Sequence, residues 1–273
     1  MLTRVGLADC KPIATLMTTS QTLYASDGSL LADPSQYHNI VGTLQYCTIT
    51  RPDISFSINK LCQFMQSPTD LHWKVVKRSL RYLKGTTSFG LSFHSSLDLQ
   101  LTVHADANWV GCLDDRLSTS GHCIFFGSNL VSWSSNKQNV VSRSSTKAEY
   151  RALANIASEL QWIQHLLLEF SISSSSSPIL LCDNLSATFL AANPIFHSCV
   201  KHVELDCHFV RENVLNKTLV VQHIPSCDQI VDALTKALLV QQFLNLQSKL
   251  IVLARPLSLR GDVKLCTVVT KQN

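Results

Sequence analysis

After Arg51-Pro52-Asp53, the apolar residues Ile54, Ile58, Leu61, Cys62 and Met65 recur at three- and four-residue steps, which predicts a helix that Ser67-Pro68 ends. A second helix is predicted from about Leu71 to Lys84, with Trp73, Val76, Leu80 and Leu83 as its apolar stripe and Gly85 as its stop. From Leu97 the period becomes two. Leu97, Leu99, Leu101, Val103 and Ala105 alternate with polar residues, as in a half-buried strand, and Asp106 lies on the opposite parity near its end. Gly121–Gly127 and Leu130–Ser134 read as a hairpin joined by Gly127-Ser128-Asn129. Ser142–Thr146 offers N-cap chemistry to a long helix that keeps Ala152, Leu153, Ile156, Leu160, Ile163 and Leu167 on one face. The flexible run Ser173–Ser177 leads to a short apolar strand, Ile179–Cys182, which ends at Asp183-Asn184 before a helix through Ala192. Then come a helix Val203–Leu215, a strand Leu219–Ile224 and a long last helix from Asp228 to about Val252. Three strands, helix, strand, helices, strand and helix predict a mixed α/β sheet. Residues 1–37 carry no periodicity and read as a partly ordered lead-in.

The chain has 273 residues, 45% of them hydrophobic, enough for one large domain or two small ones and too apolar for wholesale disorder. No run approaches the roughly 18 uninterrupted apolar residues of a membrane span. The opening MLTRVGLADCKP has no long apolar block of the secretory kind. An intracellular protein, cytoplasmic or nuclear, with its ten cysteines reduced, is therefore expected, with no membrane association and no small-molecule cofactor. The net charge of +4 permits a polyanionic partner without demanding one. Its distribution says more: Lys74, Lys77, Arg78, Arg81 and Lys84 form a polar face of one sign on the second helix, suited either to solvent or to a phosphate backbone.

Four acids stand out by position. Asp106 ends the first strand, Glu149 lies in the first turn of the long helix, Asp183 ends the fourth strand and Asp232 lies near the start of the last helix. Acids at such places are ordinary caps, or they converge at the carboxyl ends of neighbouring strands. Convergence would be costly without hard cations, and two Mg²⁺ ions clamping a phosphodiester would relieve it. Leu113-Asp114-Asp115 looks like a polymerase metal pair but falls between two strands and reads as a turn. His197, Cys199, His202, Cys207 and His208 crowd together without the spacing of a structural zinc site. Core packing is the expectation for Trp109, Trp133 and Trp162.

The segments LTVHADANWVGCLDDRLSTSGHCIFFGSNLVSWSSNKQNVVSRSSTKAEYRALA, LLCDNLSATFLAANP, KHVELDCHFVREN and DQIVDALTKAL resemble the ribonuclease H region of copia-type LTR retrotransposon Pol polyproteins. YHNIVGTLQYCTITRPDISFSINKLCQFMQSPTDLHWKVVKRSLRYLKGT resembles the segment joining that family's reverse transcriptase to its ribonuclease H, and LADCKPIATLM fits just after the polymerase palm. The resemblance spans about residues 5–262. It implies a ribonuclease H-like five-stranded mixed sheet flanked by helices over 96–252. A mainly α reverse-transcriptase thumb or connection remnant would precede it over 1–95, and a tail would follow over 253–273. It implies hydrolysis of the RNA strand of RNA–DNA hybrids by two Mg²⁺ or Mn²⁺ ions, leaving a 3′-hydroxyl and a 5′-phosphate, with no polymerase activity. Asp106, Glu149 and Asp183 match the first three metal-binding acids of the tetrad. Asp232 is preferred to Asp206 as the fourth because that acid follows the last strand. His223 matches a loop histidine that helps protons leave.

The sequence departs from the family pattern at Asn108, where an aspartate is common, and at Lys147, where glutamate is usual and a cation is expected to border the metal site. These departures, and a fragment without the palm, leave a second reading open: a catalytically inactive nucleic-acid-binding remnant that keeps the basic helix.

Overall fold

The computed structural model describes residues 2–20, 22–172, 176–193 and 204–254. Three helices come first: α1 (Ser35–Cys47), α2 (Ser55–Cys62) and α3 (Asp70–Gly85). Strands β1 (Phe89–Leu91), β2 (Leu101–Asn108), β3 (Thr119–Phe126) and β4 (Asn129–Lys137) lead to the long helix α4 (Ser145–Glu169). Then follow β5 (Ile179–Cys182), α5 (Leu185–Ala192), α6 (Glu204–Leu215), β6 (Val220–His223), the single turn α7 (Asp232–Thr235), α8 (Val240–Lys249) and β7 (Val252–Ala254).

Five strands form one mixed sheet in the order β4-β3-β2-β5-β6. β2 and β4 run antiparallel to β3, while β2, β5 and β6 are parallel, so the predicted five-stranded mixed sheet with flanking helices is the observed one. The alternation along β2 divides its two faces. Leu101, Val103 and Ala105 meet α4 through Leu153, Ile156 and Leu160 in one core. On the other face Cys123 and Phe125 of β3 join a second core with α1, α2 and α3 and with Val231, Leu234 and Leu246 near the C-terminal end. The N-terminal helices thus cover the second face of the sheet, and packing is continuous across residue 95. β1 and β7 pair antiparallel and tie the segment after α3 to the C-terminal end of the described chain.

Several expected boundaries move, each for a physical reason. The strand begins at Leu101, because Leu97 is fully exposed and Ser96 and Asp98 form a local turn through their own side chains. The long last helix is broken. Lys236 is extended, with φ −146°, and Leu239 leads into α8 from an extended backbone too. Gly85 does not stop α3 in a left-handed conformation. A Cβ there would come within 2.9 Å of Pro12 Cβ, so the missing side chain lets the N-terminal segment lie against the helix end. The partly ordered lead-in expected over residues 1–37 contributes to the core, where Leu16 and Leu23 are buried. Trp162, expected in the core, is exposed on α4; Trp109 is half-exposed and donates its indole N–H to the Ser142 carbonyl, and Trp133 donates to that of Thr48. His197, Cys199, His202, the residues 173–175 and the tail from 255 onward lie outside the described residues.

Candidate metal centre

β2 and β5 are parallel neighbours whose pairing ends at Ala105 opposite Cys182, so Asp106 and Asp183, the next residues of each, lie side by side, although β2 itself runs on to Asn108 against β3. Asp106 lies opposite Gly121 of β3 in the antiparallel register. The N-terminus of α4, capped by the Ser144 hydroxyl accepting from the Lys147 N–H, brings Glu149 to the same end of the sheet. Glu149, Cys182 and Asp183 place potential ligand atoms within 4.8 Å of one another. Asp106 and Glu149 interact directly, and Asp232 at the start of α7 feels the charges of Asp106 and Asp183. The four acids singled out by position converge. Asp206 does not: it lies on α6, where Arg151 is its charged neighbour, and it lines a separate open cleft with Arg151 and Asn155.

Secondary contacts fix each acid. The Thr235 hydroxyl donates to Asp106 Oδ2. The Ser226 hydroxyl donates to Asp183 Oδ2 at 2.8 Å, and His223 Nε2 lies 3.2 Å from the Asp183 carbonyl at the exposed rim. Gln229, fully buried, donates to the Ala105 carbonyl at 2.7 Å and pins the segment before α7 onto β2. Gly121 makes this approach possible. A Cβ on it would lie 2.8 Å from Val231 Cγ1 and 2.9 Å from Thr235 Cγ2, so only glycine lets α7 press against β3 and carry Asp232 and Thr235 to Asp106. Pattern reasoning missed Thr235, Ser226, Gln229 and Gly121 because each acts across the fold.

Crowding of like charges in a dry pocket shows in the acidities. Burial, and then the charge of Asp106, push Glu149 up to about 9, although the Ala107 amide pulls the other way. Burial likewise raises Asp106, opposed by the charge of Lys236 and the Thr235 hydroxyl. Burial raises Asp232 to about 6 against the hydrogen bond from Lys236. Protons and one ammonium therefore do here what a hard cation does better. The donor set of carboxylate oxygens fits Mg²⁺ or Mn²⁺. Cys182 does not belong to it: burial raises its thiol, which stays protonated and points at Glu149 Oε2 from 3.9 Å.

The raised Glu149 gives a signed expectation. A carboxyl held above its ordinary value favours the folded state while protonated, so that contribution fades as pH rises from about 4.5 to about 9. In EDTA the melting temperature should fall across that window, and Glu149→Gln should flatten the fall. Equal slopes in parent and variant would contradict the assignment.

Two charged features differ from expectation. Lys147 stands two residues from Glu149, and helix positions two apart face different ways; among the described residues it makes no ion pair with the cluster. The bordering cation is instead Lys236, whose Nζ lies 2.7 Å from Asp232 Oδ1. The basic stripe of α3 is largely engaged by the protein itself. Arg78 donates to the Thr15 hydroxyl, Arg81 to the Lys11 carbonyl and Lys84 to the carbonyls of Ala8 and Cys10. Lys74 pairs with Asp70, and Lys77 lies over the Trp73 ring. The Leu113–Asp115 segment is a turn: Asp114 accepts the Ala25 N–H, and Asp115 pairs with Lys137.

No family model matches the chain. It is 46% identical over 265 residues to the retrovirus-related Pol polyprotein from transposon RE2 of Arabidopsis thaliana, a match covering 97% of this chain and 18% of that protein. The corresponding polyprotein from transposon RE1 of the same plant is 46% identical over 92% of this chain and 17% of its own length. The chain thus spans under a fifth of these relatives. Among solved structures, an LC11 ribonuclease H1 in complex with an RNA/DNA hybrid aligns with a TM-score of 0.38 and 15% identity, covering 50% of this chain and 94% of that one. Among the described residues no helix is long and apolar enough to cross a membrane.

Proposed function

The chain belongs to the family of retrovirus-related Pol polyproteins of transposons, and we propose that its sheet and carboxylate cluster form a ribonuclease H that hydrolyses the RNA strand of RNA–DNA hybrids with two divalent ions, Mg²⁺ or Mn²⁺. The observation that carries this reading is the convergence of Asp106, Glu149, Asp183 and Asp232 at one end of the sheet, with burial and mutual charge raising Glu149 and Asp232. Bound divalent ions supply the charge that activates water and stabilises the leaving oxygen. The chain's residues do the rest. Asp106 and Asp183, side by side on adjacent strands, would hold the ions together with Glu149 and Asp232, which come from two helices. Thr235 and Ser226 fix the rotamers of Asp106 and Asp183. His223, at the exposed rim beside Asp183, carries the proton away. The hybrid is read through its phosphates and its 2′-hydroxyls rather than its sequence, with Lys74 and Lys77 as the cations of α3 whose ammonium groups are not tied to the N-terminal segment.

The test is a labelled hybrid incubated with the protein in Mg²⁺ or Mn²⁺ and in EDTA. Cleavage of the RNA strand only, leaving 3′-hydroxyl and 5′-phosphate ends, is expected with either ion and not in EDTA. Hybrid binding without metal-dependent cleavage would overturn the reading in favour of a nucleic-acid-binding module.

A further inference from the structure

Among the described residues, Lys236 is the cation paired with a carboxylate of the cluster, through Asp232. Its position follows from the break after α7. The helix closes with the Lys236 N–H donating to the Asp232 carbonyl, and the backbone then turns extended. The side chain comes back over its own helix, i to i+4, to set Nζ 2.7 Å from Asp232 Oδ1. Its charge acts on Asp106, Asp183 and Asp232 together. On Glu149 the main influences besides burial are Asp106, Asp183 and the Ala107 amide. The ammonium therefore neutralises the cluster from the Asp232 side. It is not locked there: the Lys236 side chain is 38% exposed, whereas that of Asp232 is 6% exposed. A compact ammonium on a flexible four-carbon stem can leave such a place without disturbing the backbone.

An ammonium and a divalent ion cannot share the same carboxylate oxygens, because their charges repel at close range in a poorly hydrated pocket. We propose that Lys236 is a built-in counter-ion that holds the Asp232 side of the metal-free cluster and must swing into solvent before a divalent ion takes up that carboxylate. The inference rests on the metal-dependent reading above. It makes the two ions unequal. An ion held by Asp232 would bind more weakly, by what it takes to expel the lysine, than an ion held without it. Substrate phosphate favours the swing, since a displaced ammonium beside the cluster finds a new anion there.

Calorimetric titration of the full chain with Mn²⁺ and with Mg²⁺ at neutral pH, without substrate, tests this. Lys236→Gln is expected to tighten the weaker ion by about 10- to 100-fold, the range commanded by a group just outside a ligand shell. Lys236→Arg keeps the charge in a forked head that holds carboxylates more firmly, and should weaken that ion relative to the parent. Melting in EDTA provides a second measurement. Lys236→Gln should melt lower than the parent there, and the gap should close or reverse in Mg²⁺. Unchanged affinities in both variants, or weaker binding by Lys236→Gln, would overturn the counter-ion role while leaving the metal reading intact. Absence of divalent binding by the parent and both variants would overturn the metal reading and this inference with it.

Discussion

Asp106→Asn and Asp183→Asn should each lower cleavage of an RNA–DNA hybrid by about 10³-fold or more, because a ligand that holds a divalent ion against a phosphodiester accounts for several kcal/mol of barrier lowering. Neither change should unfold the protein. In EDTA both variants should melt at or above the parent, since a neutral amide removes like-charge repulsion from the cluster, where burial and the charge of Asp106 raise Glu149. That pairing separates a catalytic effect from a folding defect, which would lower the rate and the melting temperature together. Asp232→Asn should cost roughly 10- to 100-fold, the scale of a flanking ligand. Asp206→Asn, beside Arg151 in a separate cleft, should change cleavage little. Parent-like cleavage by Asp106→Asn or Asp183→Asn, or a larger loss from Asp206→Asn than from Asp232→Asn, would contradict the proposed site.

The period-two run in β2 was informative because both faces of the sheet are covered. Leu101, Val103 and Ala105 face α4, so Asp106, off their parity, is legible as a residue of the other face, but it does not end the strand, which runs on to Asn108 against β3. The cap before α4 was legible too, since Ser144 and the apolar stripe beyond it fix which turn holds Glu149. The same alternation misled at Leu97 and Leu99, where no second layer meets the chain and the period carries no structural constraint. After Asp232 the apolar residues keep helical spacing, and neither proline nor glycine marks the break. The break is tertiary: Leu238 is buried in the core formed with the N-terminal helices, which a continuous helix from Asp228 would not allow.

Most illegible features are contacts between groups far apart in the sequence, which leave no periodic trace. Arg81 and Lys84 look like a phosphate-binding stripe because their partners are carbonyls of the N-terminal segment, and carbonyls are invisible in residue types. The Asp232–Lys236 pair is the exception: the two are four apart on a helical pattern, a spacing that announces a pair. Lys147 drew attention instead through its nearness in sequence to Glu149, but two residues along a helix are on different faces.

Asp53→Ala should be the most destabilising single change in the protein. Asp53 is buried in the turn before α2, where it accepts from Arg51 Nε at 2.9 Å, from Arg51 Nη2 at 2.7 Å and from the Tyr82 hydroxyl of α3. Gln247 of α8 donates to the same carboxylate at 3.3 Å. Arg51 spends its remaining hydrogen bonds on the Thr86 carbonyl and hydroxyl, both at 2.9 Å. One carboxylate thus joins the N-terminal helices to the C-terminal one. Removing it leaves a guanidinium enclosed without its anion, which costs about 3–5 kcal/mol. For a chain of this size that is a fall in melting temperature on the order of 10 °C. Replacing both members, as in Arg51→Met with Asp53→Leu, should recover most of the loss, because two buried ions are themselves expensive to desolvate. The turn holding Asp53 also packs against α7, which carries Asp232, so the fall should appear in one cooperative transition that includes the sheet. A melting temperature for Asp53→Ala within about 2 °C of the parent, or a separate early transition of the N-terminal helices alone, would show that this network does not bind the two halves together.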